Sequence, residues 1–144
     1  MSPFAFKHCP IERTLDSIGR KWAINIIRDL FLGRRRFSEF LQFNPQLSGK
    51  VLSTRLKELQ AYGLVEKNVI ETTPVLIEYD LTDRGRALGE VLYQMAVFSM
   101  RHHADDVYRG DDEYLERDLE NLRRVFCAIE WGMVNPGQLV KRSE

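Results

Sequence analysis

Lys50, Ser53, Thr54 and Lys57 stand in a segment with Leu52, Leu56 and Leu59. At 100° per residue the leucines form one stripe of a helix and the other four lie on the opposite side. Two cations and two small hydroxyls on one surface can approach phosphate oxygens and base edges closely. A solvated helix usually shows glutamates there, and Glu58 is the only acid of the segment. Ser48 is placed to cap this helix, whose free N–H groups and positive dipole end favour a phosphate near Ser48 and Gly49. Taken alone, the same face also reads as a solvated basic surface.

Arg34, Arg35 and Arg36 are a second cationic group. A charge run is commonly just solvated, but this one directly precedes a short apolar segment that would brace the reader helix on a nucleic-acid backbone. Arg55 lies near the edge of the leucine stripe, able to meet a phosphate or to hold Glu58 or Glu39 in a structural pair.

Other reactive side chains are sparse. Cys9 and Cys127 are far apart and form no CxxC pair, so neither a disulfide framework nor a zinc ribbon is expected. Cys127 adjoins Phe126 and reads as packing. His102 and His103 are consecutive and point about 100° apart on a helix; either could pair with Asp106 or pack. No cofactor or metal is expected. There is no glycine-rich phosphate loop, no HExxH and no GxSxG, and nothing brings two carboxylates into a pocket. The reading is of a protein that is not an enzyme.

The positioning elements follow from periodicity. Ile11, Leu15 and Ile18 mark a first helix, and Trp22, Ile26, Ile27, Leu30 and Phe31 a second, stopping at Gly33. Phe37, Phe40 and Leu41 mark a short third helix, broken near Asn44-Pro45. The fourth runs from about Gly49 to Tyr62, closed by Gly63. Leu64–Glu71 and Val75–Leu81, rich in Val, Ile and Tyr, predict a β-hairpin around Thr72-Thr73-Pro74. Thr82 then caps a long helix through Tyr108, with Leu88, Val91, Leu92, Met95 and Phe98 as its apolar side, interrupted at Arg109-Gly110-Asp111-Asp112. Leu115, Leu119, Leu122, Phe126 and Ile129 form a heptad-like seam on a last helix. Residues 134–144 read as a frayed tail. Trp22, Phe37, Phe40 and Tyr79 follow helix or strand period and are expected in the core rather than as stacking platforms.

The fold class is therefore mainly α with a small β-hairpin wing: a winged helix-turn-helix with an additional C-terminal helix. Two parts are expected, 1–108 for DNA binding, to which the family resemblance adds dimerisation, and 109–144 as a helical extension whose seam packs on another helix, that of a dimer partner or the long helix of the same chain. The 144 residues carry no formal net charge, which at first argues against nucleic acid. Yet from Arg20 to Lys67 ten basic residues face four acids, while 105–130 holds nine acids and four arginines. Phosphate binding follows the local field, not the total. No apolar run is long enough to span a bilayer and no signal-peptide core is present, so a cytoplasmic protein without a membrane partner is expected.

Ordered motifs add a family resemblance. Cys9-Pro10-Ile11, Gly19 to Leu30 with Lys21-Trp22 at its start, and Arg36-Phe37-Ser38-Glu39-Phe40 come first. Leu52 to Leu59, Gly63-Leu64-Val65 and Glu78 to Leu88 follow at matching spacing. In these the chain resembles the HxlR-type winged-helix transcriptional regulators over roughly Cys9 to Tyr108. The resemblance implies a homodimer held by the first helix and the long helix after the wing. It further implies two recognition helices in successive major grooves of double-stranded DNA, about 34 Å apart. By position, Lys50, Ser53, Thr54 and Lys57 become the base- and phosphate-facing set. Some family members carry a redox-sensing cysteine where Cys9 stands, with Lys7 and His8 beside it; Pro10 and a packed amino-terminal arm explain it equally. The wing departs from the family: Pro74-Val75-Leu76-Ile77 replaces its usual Pro-Pro-Arg, and Glu71 adds a negative charge. The alternative is a winged-helix module that binds protein without DNA. A small-molecule effector is left open, with the extension as one cover for its pocket.

Overall fold

The computed structural model describes residues 3–107 and 114–127. The expected interruption at 109–112, the seam position Ile129 and the tail at 134–144 lie outside them.

Helix α1 (Pro10–Ile18) begins on a proline, whose missing N–H costs nothing at a helix start. Its Ile18 is buried, while Ile11 and Leu15 look outward. Helix α2 (Ala23–Phe31) differs from expectation at its start. Trp22 lies outside the helix as its cap, at φ 78°, because a tight turn from the Arg20 carbonyl to the Ala23 N–H (3.1 Å) precedes it. Helix α3 (Phe37–Phe43) is short. Helix α4 (Gly49–Ala61) starts where the Ser48 hydroxyl accepts from the Val51 N–H at 3.2 Å. Gly33 after α2 and Gly63 after α4 adopt positive φ, a conformation that costs glycine little.

Strands β1 (Val65–Thr72) and β2 (Val75–Leu81) pair antiparallel around Thr73-Pro74, in register from Val65↔Leu81 to Thr72↔Val75, with an irregularity between Val69 and Glu71. The single long helix expected after the wing is instead three pieces: α5 (Asp83–Arg86), α6 (Gly89–His102) and α7 (Ala104–Val107). At the first break the Leu88 N–H donates to the Gly85 carbonyl at 3.1 Å, three residues back rather than four. Thr82 caps α5 through the Gly85 N–H while donating its own hydroxyl proton to the Gly63 carbonyl at 2.6 Å. Gly89 then lies so close to the Phe126 carbonyl that no Cβ would fit. At the second break His103 leaves helical geometry at φ −129°, ψ 38°.

Helix α8 (Leu115–Cys127) folds back on α6 within the same chain. It adds Val125 and Phe126 to a core built on Ile26, Ile27, Phe31, Phe40, Leu52, Leu56 and Leu59. Phe126 meets Phe31 edge-on at 5.2 Å between centroids, and Phe40 meets Tyr79 at 6.3 Å. Trp22 and Phe37 pack on the same core, as their periodicity predicts. Truncating one of the sealed leucines of α4 to alanine costs about 2–5 kcal/mol, so the buried stripe fixes which face α4 turns outward.

Candidate nucleic-acid interface

With Leu52, Leu56 and Leu59 sealed inside, α4 presents Lys50, Thr54 and Lys57 fully to solvent and Ser53 partly. Ser48, Lys50, Thr54 and Lys57 are all exposed. Among the described residues neither lysine forms an ion pair, so both charges face outward without an acid to offset them. Thr54 donates its hydroxyl proton to the Lys50 carbonyl at 3.1 Å and keeps its oxygen lone pairs for a donor outside.

Arg55 is held differently. Its Nε donates to the Lys21 carbonyl and its Nη1 to Glu58, both at 2.9 Å, and Glu58 also meets Arg20 at 3.5 Å. Of the two roles open from sequence, the geometry supplies the structural pair with Glu58.

The three arginines ahead of α3 also have partners. Arg35 pairs with Asp80 and Arg36 with Glu78 at 3.4 Å, so both lean on β2 while remaining half-exposed. The Arg35 carbonyl accepts from the Tyr79 N–H at 2.8 Å, which anchors the wing to the α2–α3 link. Glu39 folds back to accept from the backbone N–H groups of Arg36 and Arg35, both at 2.8 Å. Those two bonds, with the nearby Arg36 and Arg34 charges, hold its carboxyl below the ordinary value of 4.5 against a smaller opposing effect of burial.

Arg34 belongs to a cluster that sequence periodicity does not reveal. Asp29, on the inner side of α2, is 0% exposed. Its Oδ1 accepts from Arg28 Nε (3.0 Å), Arg28 Nη2 (2.9 Å) and Arg34 Nη1 (2.8 Å). Its Oδ2 accepts from Asn44 Nδ2 at 2.6 Å, and Arg28 Nη2 also donates to Asn44 Oδ1 at 3.0 Å. The Arg34 guanidinium also lies 3.6 Å over the Phe43 ring. Every buried polar side-chain atom among the described residues has a partner. Removing one side of such a buried cluster costs about 3–5 kcal/mol. One sequence signal points to it: an acid between apolar neighbours on a helix, Ile26 to Phe31, requires a buried cation.

A second surface lies away from α4. Ile11 and Leu15 of α1 are 71% and 54% exposed, and Met95 and Phe98 of α6 are 50% and 58% exposed. The apolar side expected for the long helix thus splits: Leu92 and, in part, Leu88 face inward, and Val91, Met95 and Phe98 outward. Pro10, Ile11, Leu15, Ile24, Val91 and Met95 line a groove of about 620 Å³ between α1 and α6. Cys9 is exposed at the start of α1, beside a hollow it shares with His8, Glu12, Arg13 and Asp16. Cys127 is half-buried, its thiol pushed up by burial and by Glu90, with Arg123 opposing. The wing tip carries Val69, Ile70 and Val75 to solvent. The rings of His102 and His103 sit 5.1 and 5.7 Å from that of Phe98.

Comparison with known proteins places this geometry. Residues 17–106 match the profile of the HxlR-like helix-turn-helix family. The HTH-type transcriptional regulator YvaP of Bacillus subtilis is 46% identical over 89 residues, 61% of this chain and 82% of YvaP. Among solved structures, the reduced form of the transcriptional regulator YodB from B. subtilis superposes with a TM-score of 0.59 at 36% identity, covering 66% of this chain and 94% of YodB. The redox regulator HypR in its oxidized form superposes with a TM-score of 0.61 at 36% identity, covering 65% of this chain and 97% of HypR. Helix α8 lies beyond the family match.

Proposed function

This chain belongs to the HxlR-like helix-turn-helix family, and from that premise we propose that it regulates transcription as a homodimer that sets one α4 helix per subunit into successive major grooves. Lys50, Ser53, Thr54 and Lys57 meet base edges and phosphates, and the Ser48 end of α4 takes a phosphate. Arg35 and Arg36, half-exposed beside the wing, reach the flanking backbone. Arg34 and Arg55 brace the reader from behind. The observation that carries this reading is the pair of outward lysines, unpaired among the described residues, on a helix whose opposite stripe is sealed in the core. The homodimer is supported by the outward apolar stripes of α1 and α6, whose size and continuity suit a second copy of the same face. The protein acts in the cytoplasm; no described helix is long and apolar enough to cross a membrane. It performs no covalent chemistry on its target.

Selection of bound fragments from the source organism's genomic DNA, with and without a thiol oxidant, tests this directly. The wild type should enrich a two-fold repeated sequence with half-sites about one helical turn apart. The double variant K50E/K57E should lose duplex binding while keeping fold and assembly; retention on DNA would refute the reader assignment. Two of the structural relatives are the regulator YodB, solved reduced, and the redox regulator HypR. Together with the exposure of Cys9 they support a redox-responsive switch in this chain. Oxidant should then release wild-type protein from DNA and leave C9S bound.

One observation favours a second reading. Val69, Ile70 and Val75 make the wing tip apolar where a cation would grip phosphate, which suits a winged-helix module that binds protein. Such binding would weaken little with salt, whereas DNA binding weakens steeply.

A further inference from the structure

The cluster around Asp29 reaches the reader helix by a short covalent and hydrogen-bonded route. Asn44, which binds Asp29 and Arg28 through its side chain, also ends α3. Its Nδ2 donates to the Phe40 carbonyl at 2.7 Å, and its own carbonyl accepts from the Leu47 N–H at 2.9 Å. Leu47 is buried, and the next residue is Ser48, the cap of α4. The first half of α4 is therefore set by Leu52 in the core together with Asn44, and Asn44 is held by Asp29. The second half is fixed separately by Leu56, Leu59 and the Arg55 bonds to Lys21 and Glu58.

We propose that Asp29 is a specificity-determining positioning residue: through Asn44 it sets the angle at which α4 presents Lys50, Ser53 and Thr54, without touching DNA. The proposal rests on α4 being the reader. From Arg55 back to Lys50 is about 7.5 Å of helix axis, so a tilt of about 10° about Arg55 moves the Lys50 backbone by about 1.3 Å. Contacts to base edges need placement within about 0.5 Å. Lysine contacts to phosphate tolerate such a shift, because the ammonium is a point charge on a flexible stem. Disturbing the cluster should thus erode discrimination between sequences while sparing the salt-dependent attraction to any duplex.

The full chain carries the test, with two probes: a duplex recovered by genomic selection with wild-type protein, and a shuffled duplex of equal length and composition. Asp29→Asn and Arg34→Met are compared with Leu119→Ala, a substitution on α8 that loosens packing far from the reader. Both cluster variants should lower the ratio of the two affinities about tenfold or more, the scale set by a single mismatched base pair, with the slope of log affinity against log salt unchanged. Arg34→Met leaves Asp29 its Arg28 and Asn44 partners, so it decides the matter alone if Asp29→Asn does not fold. An unchanged ratio in the folded variants overturns the proposal. So does an equal loss in Leu119→Ala, or a shallower slope at constant ratio in Arg34→Met, which would make Arg34 a phosphate ligand. Wild-type protein without any preference between the probes would overturn the reader assignment as well.

Discussion

Replacing Lys50 and Lys57 with alanine should make DNA binding far less sensitive to salt. The two residues are seven apart on α4, about 10.5 Å along the axis, and both are exposed with no acidic partner among the described residues. A DNA strand carries one charge about every 3.4 Å, so each lysine can neutralise a separate phosphate. Two subunits bring four such lysines, which together contribute about 3.6 to the slope of log affinity against log salt. Between 50 and 200 mM salt these contacts alone account for about 150-fold of the affinity lost. K50A/K57A should show a slope shallower by roughly three to four units in fluorescence anisotropy titrations at several salt concentrations. Circular dichroism and sedimentation should be unchanged, since neither side chain packs on the core. A slope that moves by less than about one unit with fold and assembly intact would mean that α4 does not face the duplex.

Four other perturbations bear on the surrounding structure. Leu15→Asp or Met95→Asp places a charge on the apolar groove between α1 and α6, and sedimentation at micromolar concentration should shift from dimer to monomer; an unchanged mass would place the subunit contact elsewhere. Glu39 titrates below its ordinary 4.5 because Arg36 and Arg35 donate their backbone N–H groups to it, so its contribution is full above that pH and is lost as pH falls through the lower folded value. The stability difference between wild type and Glu39→Gln should therefore narrow as pH drops below 4.5, and a constant difference from neutral to strongly acidic pH would contradict the capping role. Gly89→Ala forces a methyl against the Phe126 carbonyl and should cost about 1–3 kcal/mol in denaturant unfolding. Gly49→Ala, whose new Cβ would meet only the Phe37 ring at 3.7 Å, should be neutral or slightly stabilising.

The outward face of α4 is legible in the sequence because the 3.6-residue period assigns both sides of the helix at once: three leucines inside leave Lys50, Thr54 and Lys57 outside. The hairpin is legible for a similar reason, since β-branched residues flank a proline turn. What periodicity does not supply is pairing. Whether Arg34 meets a phosphate or Asp29, and Arg55 a phosphate or the Lys21 carbonyl, depends on which chain segments approach, and local sequence does not encode that approach. The long helix expected after the wing is instead interrupted before Gly89, where the Leu88 N–H turns back to the Gly85 carbonyl beside a close approach of the Phe126 backbone, 37 positions onward, that local sequence does not encode. Its apolar side also hides a division: Leu92 and Met95 look alike in sequence, yet one fills the core and the other faces out.

The seat of α8 limits how this reader could be transplanted. Phe126 covers Phe31, and Leu92 belongs to the same core, so a fragment cut to the family-matched stretch would bare the aromatic ring at the end of α2. Grafting this DNA-reading unit into a chimera would thus require carrying residues 114–127 along. A chimera that omits them should be sticky and short-lived, however faithfully its recognition surface were copied.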